Sequence, residues 1–129
     1  MSFSQEVKNE ILRHKITKPC CNVAAAYAVA CFGKYFDDRG VVLQTENEGV
    51  AIFAQKAYRR CGIEGDVLRK ERPTGPVFEF SVKAEDQIPK MLDLFGHTGK
   101  EPTLRIRPEH FKCQKCMQTF IATAFLCCG

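Results

Sequence analysis

The sequence predicts an α+β domain whose central unit runs helix, two strands, helix, two strands, helix, with the opening helix of that unit written again at the end of the chain. Three observations lead there. The uncharged segment from Cys20 to Gly33, rich in alanine and cysteine, is echoed by the segment from Cys116 to Gly129. Cys20 aligns with Cys116, Ala26 with Ala122, Ala28 with Ala124, Cys31 with Cys127 and Gly33 with Gly129. Two pairs of β-branched and aromatic runs are each broken by a glycine-bearing turn, the signature of a hairpin. Between the hairpins, apolar residues recur at spacings of three and four, the period of an amphipathic helix.

The elements follow in order. Ser2 or Ser4 can cap a first helix with Glu6 in its first turn and Phe3, Val7, Ile11 and Leu12 as its apolar stripe. Pro19 ends that region, and the first Ala/Cys helix runs on to Gly33. Alanine is the strongest helix former and a closing glycine suits a C-cap. Small side chains let a second helix approach closely, so Ala26, Ala28 and Gly33 are expected to face Ala122, Ala124 and Gly129 in a helix pair. The same composition also fits two unrelated core helices.

KYFDD and VVLQTE, joined through Asp38, Arg39 and Gly40, read as the first hairpin. Thr45 and Glu48 have capping-box spacing. Behind them Val50, Phe53, Ala54, Ala57, Tyr58 and Cys61 share one helical face, and Gly62 closes the helix. GDVLRKER and VFEFSV, turning at Pro73–Pro76, form the second hairpin, with Phe78, Phe80 and Val82 on one side and Val77, Glu79 and Ser81 on the other. A short helix with Ile88, Met91, Leu92 and Phe95 buried follows, and Pro89 places its start late. Residues 97–102 read as a loop, and 103–112 as an extended linker into the second Ala/Cys helix. The expected boundaries are 1–19 for the N-terminal helix and linker, 20–96 for the first repeat, and 97–129 for a linker and the first helix of an incomplete second repeat.

Composition narrows the function classes. The 129 residues suit one domain with a substantial core, and 45% are hydrophobic. A net charge of +4 is compatible with nucleic acid without demanding it. The polar N-terminus has no secretory signal, and no run reaches transmembrane length. Eight cysteines without such a signal, several inside alanine-rich segments, point to reduced thiols in the cytoplasm rather than to a secreted disulfide framework.

The αββαββα order opening on a small-residue helix resembles one half of a LAGLIDADG homing endonuclease, whose hairpins make a curved antiparallel sheet. More specifically, MSFSQEVKNEIL at the N-terminus, the pair Cys20–Cys21, QTENEGVA at 44–51 and FIATAFLCCG at 120–129 resemble the WhiA family. That family comprises bacterial transcriptional regulators of sporulation and cell division that join a degenerate LAGLIDADG domain to a C-terminal helix-turn-helix. The resemblance spans essentially the whole chain. Departures are the cysteines before Gly129, the spaced pair Cys113 and Cys116 where the family has adjacent ones, and an end before the rest of the second repeat.

The resemblance implies a role without catalysis. LAGLIDADG nucleases carry a metal-binding carboxylate just before the closing glycine of each signature helix, because phosphodiester hydrolysis needs charge neutralisation and an activated water. Those positions hold Phe32 and Cys128. Phenylalanine cannot bind Mg²⁺, and a thiolate suits it poorly. Asp37 and Asp38 lie nearby, where a solvated turn explains them better.

The implied partner is double-stranded DNA, held on the sheet, with Lys34, Arg39, Arg69, Lys70, Arg72 and Lys83 as candidate contacts. Alternation puts Arg69 on one face with Val67 and Glu71, and Lys70 and Arg72 on the other with Leu68. A solvated sheet of mixed charge explains them equally well. The alternative roles, without direct DNA binding, are a zinc- or thiol-based regulatory domain and a protein-interaction module that contacts a second copy or the transcription machinery.

The cysteines add a further reading. Cys20–Cys21, Cys113-x-x-Cys116 and His110 are zinc-type ligands, with Cys20, Cys113 and Cys116 as the zinc candidates, and parallel packing of the two Ala/Cys helices would bring Cys20 close to Cys116. A lone CxxC is nevertheless a weak signal, and adjacent cysteines seldom ligate one ion. Buried or half-exposed thiols are the favoured reading, with no cofactor expected.

Overall fold

A computed structural model of the chain describes residues 3–13, 18–95 and 113–128. Within them the order is α1 (Phe3–Arg13), α2 (Pro19–Phe32), β1 (Tyr35–Asp37), β2 (Gly40–Thr45), α3 (Glu48–Arg60), β3 (Asp66–Lys70), β4 (Val77–Val82), α4 (Ile88–Phe95) and α5 (Gln114–Cys128). The fold is α+β, with five helices and one four-stranded antiparallel sheet among the described residues. The predicted loop and linker at 97–112, His110 within it, Gly129 and the side chain of Cys128 lie outside the described residues.

Two hairpins build the sheet, and their inner strands join them, giving the order β1-β2-β4-β3. Leu43 is registered with Phe80 and Val41 with Val82 across β2 and β4, and Val67 faces Phe80 across β3 and β4. Side chains alternate between faces along a strand, so these residues share one face, and it packs into the helices. Edge strand β3 is largely exposed and carries Arg69 and Lys70, charges that discourage further strand pairing.

α2 is the central element. Cys21 through Ala30 are buried apart from the half-buried Val23, so the helix is covered on nearly every side. Pro19 stands in its first turn, where a missing N–H costs nothing. Gly33 ends α2 without backbone strain; a Cβ there would stand 2.6 Å from the Val42 carbonyl oxygen and 2.7 Å from that of Val29. The glycine lets β2 lie hard against the end of the helix. In the first hairpin Gly40 is the opening residue of β2, at φ +119°, a conformation that favours glycine, and Asp38 and Arg39 alone make the turn.

α3 buries Val50, Ala51, Ala54, Ala57 and Tyr58 and half-buries Phe53 and Cys61, close to the predicted stripe. Its cap differs from expectation. Asn47, not Thr45, is the N-cap, and its Oδ1 accepts the Gly49 N–H at 2.9 Å. Thr45 Oγ1 instead accepts the Asn47 N–H at 3.1 Å, one step upstream. Asn is a strong N-cap residue, and it lies nearer the first helical turn than Thr45 does.

The core is strongly aromatic. Tyr27 and Phe95 have ring centroids 5.2 Å apart, Tyr58 and Phe80 5.0 Å, and Tyr27 and Phe120 6.0 Å. Tyr58 also stands edge-on to Phe95 at 6.2 Å, so these contacts join α2, α3, α4, α5 and the sheet, and such ring pairs add to simple burial. α2 and α5 pack together more extensively than any other two elements. They run parallel, with the cysteines of both N-terminal ends in contact and Tyr27 and Phe32 against Phe120 further along. No helix among the described residues is long and apolar enough to cross a membrane.

Candidate functional site

Parallel packing of α2 and α5 brings four cysteines to one place. Cys20 and Cys21 lie in the first turn of α2, Cys113 immediately precedes α5, and Cys116 lies in the first turn of α5. The Cys116 N–H donates to the Cys113 carbonyl at 3.1 Å, which fixes the local turn and directs both side chains toward α2. Cys113 Sγ lies 3.5 Å from Cys116 Sγ, 3.7 Å from Cys20 Sγ and 3.7 Å from Cys21 Sγ. Cys21 and Cys116 are 4.0 Å apart, and all four sulfurs fall within 4.8 Å of one another. Cys21 and Cys116 are buried; Cys20 and Cys113 are half-buried at the edge.

The shared environment splits the thiols electrostatically. Hydrogen bonding from the Cys116 thiol, aided by Cys21 and Cys20 and opposed by burial, holds Cys113 down at about 6. Burial first, then its thiol neighbours, pushes Cys21 up to about 12. Cys20 is also raised, chiefly by its hydrogen bond with Cys116. Both helix N-termini point here, and their dipoles favour negative charge on sulfur. Cys31 and Cys61, each raised to about 11 by burial, lie outside the cluster.

Cys20, Cys113 and Cys116, the three residues singled out by spacing, are therefore together, and Cys21 joins them. Adjacency argued against Cys21. In the first turn of a helix, however, neighbouring side chains can both reach a group lying at the helix end. The sequence signal for it was the adjacent pair itself.

The predicted helix-pair residues are distributed differently. Ala26 and Ala28 are fully buried, whereas Ala122 and Ala124 are half-buried. The most withdrawn residues of α5 are Cys116, Phe120, Thr123 and Leu126, at helical spacing. Gly33 makes its close approach to β2 rather than to α5. Phe32, at the end of α2, is half-buried with its ring edge-on to Phe120 at 5.8 Å. Asp37 is engaged on the hairpin: Arg39 binds it at 2.7 Å and holds its carboxyl below the usual carboxylate range.

The basic candidates are spread across the sheet, and most are paired. Arg39 also covers the Tyr35 ring at 4.6 Å, and Arg69 pairs with Glu71 at 2.8 Å. Arg72 reaches Glu46 at 3.3 Å. Lys70 and Lys83 both bind Glu79, at 2.9 Å and 3.7 Å, while Lys34 is exposed nearby and contributes to the same field. Glu79 is only 4% exposed, on the sheet face away from Phe78 and Phe80, with its carboxyl held below the ordinary value chiefly by Lys70. Three ammonium groups thus stand around one carboxylate. Sequence reasoning placed Glu79 on this face but did not single it out, because its partners come from β3 and from the end of β4.

Comparison with family models, with curated proteins and with solved structures found no match for the chain.

Proposed function

We propose that the chain is a non-catalytic DNA-binding domain of a WhiA-like bacterial transcriptional regulator of sporulation or cell division, working in the cytoplasm. In this reading the part from α2 to α4 is a LAGLIDADG-like unit, and α5 is the signature helix of a second. The observation that carries it is the parallel packing of α2 on α5 beside an antiparallel β1-β2-β4-β3 sheet. The resemblance implies an antiparallel sheet built from hairpins and a pairing of the two Ala/Cys helices, and the reading draws its support from both. Phe32 at the end of α2 supports the absence of nuclease chemistry, since it offers no ligand for a hard cation.

The surface for DNA is the exposed rim formed by Lys34, Lys70 and Lys83 around the buried Glu79, where three ammonium groups outnumber one carboxylate. Arg39 and Arg72 lie in exposed ion pairs that contribute little to stability and can be exchanged for phosphates, whereas Arg69, paired with Glu71, stands on the opposite face beside Phe78. Contacts of this kind position a duplex without reading its sequence. The test is binding of the full chain to random duplex DNA over a salt series, compared with a Lys70→Glu/Lys83→Glu variant. Affinity falling steeply with salt, and lost in the variant, is expected. Equal affinity of the two proteins would sink the DNA reading. Cleavage of the duplex in Mg²⁺ would remove the non-catalytic part of it.

One observation favours a second reading. Met117 and Ile121, one turn apart on α5, are 46% and 60% exposed, an apolar strip suited to another copy of the chain. Sedimentation of the wild type and of Ile121→Lys tests it; a monomer in both cases rules it out.

A further inference from the structure

We propose that Cys20, Cys21, Cys113 and Cys116 form a tetrathiolate site for zinc, which clamps the N-terminal ends of α2 and α5. This goes beyond the DNA reading and does not depend on it.

The geometry carries the argument. Zinc binds thiolate sulfur at about 2.3 Å, and a regular tetrahedron with that bond length has sulfur–sulfur edges of about 3.8 Å. The contacts of 3.5, 3.7, 3.7 and 4.0 Å bracket that edge, and the remaining two edges need only a small contraction from within the 4.8 Å limit. Four sulfurs drawn from two helices already stand near the vertices. One sulfur pair in contact is ordinary packing; four mutually close are a ligand set.

The chemistry selects the ion. Four soft, polarisable donors without a carboxylate or carbonyl discriminate against magnesium and calcium, and they suit tetrahedral zinc. The complete donor set leaves no open position, which marks a structural centre rather than a catalytic one. Four thiolates and one divalent ion leave two negative charges. The N-termini of α2 and α5 offset these, with the exposed Lys18 and Lys115 close in sequence. On binding, each thiol that still carries its proton releases it to solvent as its Zn–S bond forms, with no redox change.

The effect on the fold follows from the site's position. The sulfurs of Cys21 and Cys113 belong to elements far apart in sequence, and joining them through an ion closes most of the chain into one loop. It also fixes the parallel orientation of the central helix pair.

The experiment uses the full chain purified under reductant without chelator. Metal analysis is expected to find about one zinc per chain. Cobalt added to the apo-protein should give the intense sulfur-to-metal absorption and visible bands of a tetrahedral thiolate site. Cys113→Ser should abolish both signals, whereas Cys61→Ser, outside the cluster, should leave them unchanged. If Cys113→Ser fails to fold, titration of the unaltered apo-chain decides: zinc should raise its thermal midpoint and protect four cysteines from alkylation. No retained zinc together with no cobalt signal overturns the proposal, and so does iron at the site in place of zinc. Zinc binding that survives Cys113→Ser in a folded protein overturns the ligand assignment.

Discussion

The phenolic O–H of Tyr58 donates to the backbone carbonyl of Ala26 at 2.8 Å, tying the last turn of α3 to the middle of α2. Both residues are fully buried. The Ala26 carbonyl lies inside a helix and keeps its helical bond, so the phenol uses its second lone pair. Tyr58→Phe keeps the ring contacts with Phe80 and Phe95 and removes only this bond. A loss of about 1 kcal/mol in unfolding free energy is expected by denaturant titration, within the usual range for one internal hydrogen bond. An unchanged midpoint would show that the bond makes no net contribution.

Gly33 is set by space rather than by backbone angle. Its missing Cβ would sit against two backbone oxygens, those of Val42 and Val29, which cannot move as a flexible side chain would. Gly33→Ala should therefore destabilise by about 1–3 kcal/mol, the usual cost of overpacking. Thermal melting of the two proteins checks this; a gain in stability would contradict the close approach of β2 to α2.

The orientation of α5 makes a paired prediction from adjacent residues. Phe120 is 5% exposed and packs on Tyr27 and Phe32, whereas Ile121 is 60% exposed. Phe120→Ala should cost about 3–5 kcal/mol as a large buried ring is lost. Ile121→Lys should stay within about 0.5 kcal/mol. Reversed effects in chemical denaturation would mean that α5 presents the other face.

Glu79 gives a pH dependence with a definite sign. Its folded carboxyl is held below the ordinary value, first by Lys70 and then by Lys83 and Lys34, against the opposing effect of burial. The unfolded chain therefore takes up this proton more readily than the folded one. The stabilisation is fully present above the ordinary Glu range and fades as pH falls through the folded value. Glu79→Gln should lower stability at neutral pH by about 1–2 kcal/mol, a charged hydrogen bond discounted for the half-exposed lysines. The wild-type and variant curves should converge in acid; a constant gap down to low pH would be the contrary result.

Several features could be read along the chain because they are local. The apolar period through Val50, Ala54, Ala57 and Tyr58 defines α3 without reference to any other element. The runs around Gly40 and Gly75 define the hairpins, and Pro89 places the start of α4. Even at short range there was competition: Asn47 took the cap that the spacing of Thr45 and Glu48 suggested.

By itself, then, the sequence determined the α+β class, the order of helices and hairpins, and the presence of two Ala/Cys-rich helices. Each depends on propensities and periods within about fifteen residues. Tertiary structure alone decided the partners. It paired Arg72, just beyond β3, with Glu46, and Lys70 of β3 with Glu79, acidic partners that spacing along the strand does not reveal. It set Cys116, Thr123 and Leu126, rather than Ala122 and Ala124, deepest in the packing of α5. It also gathered Cys20, Cys21, Cys113 and Cys116 within 4.8 Å, because parallel packing superimposes the N-terminal ends of two helices that are remote in the chain. An adjacent pair and a CxxC are weak signals separately; the packing of α2 on α5 makes them one cluster.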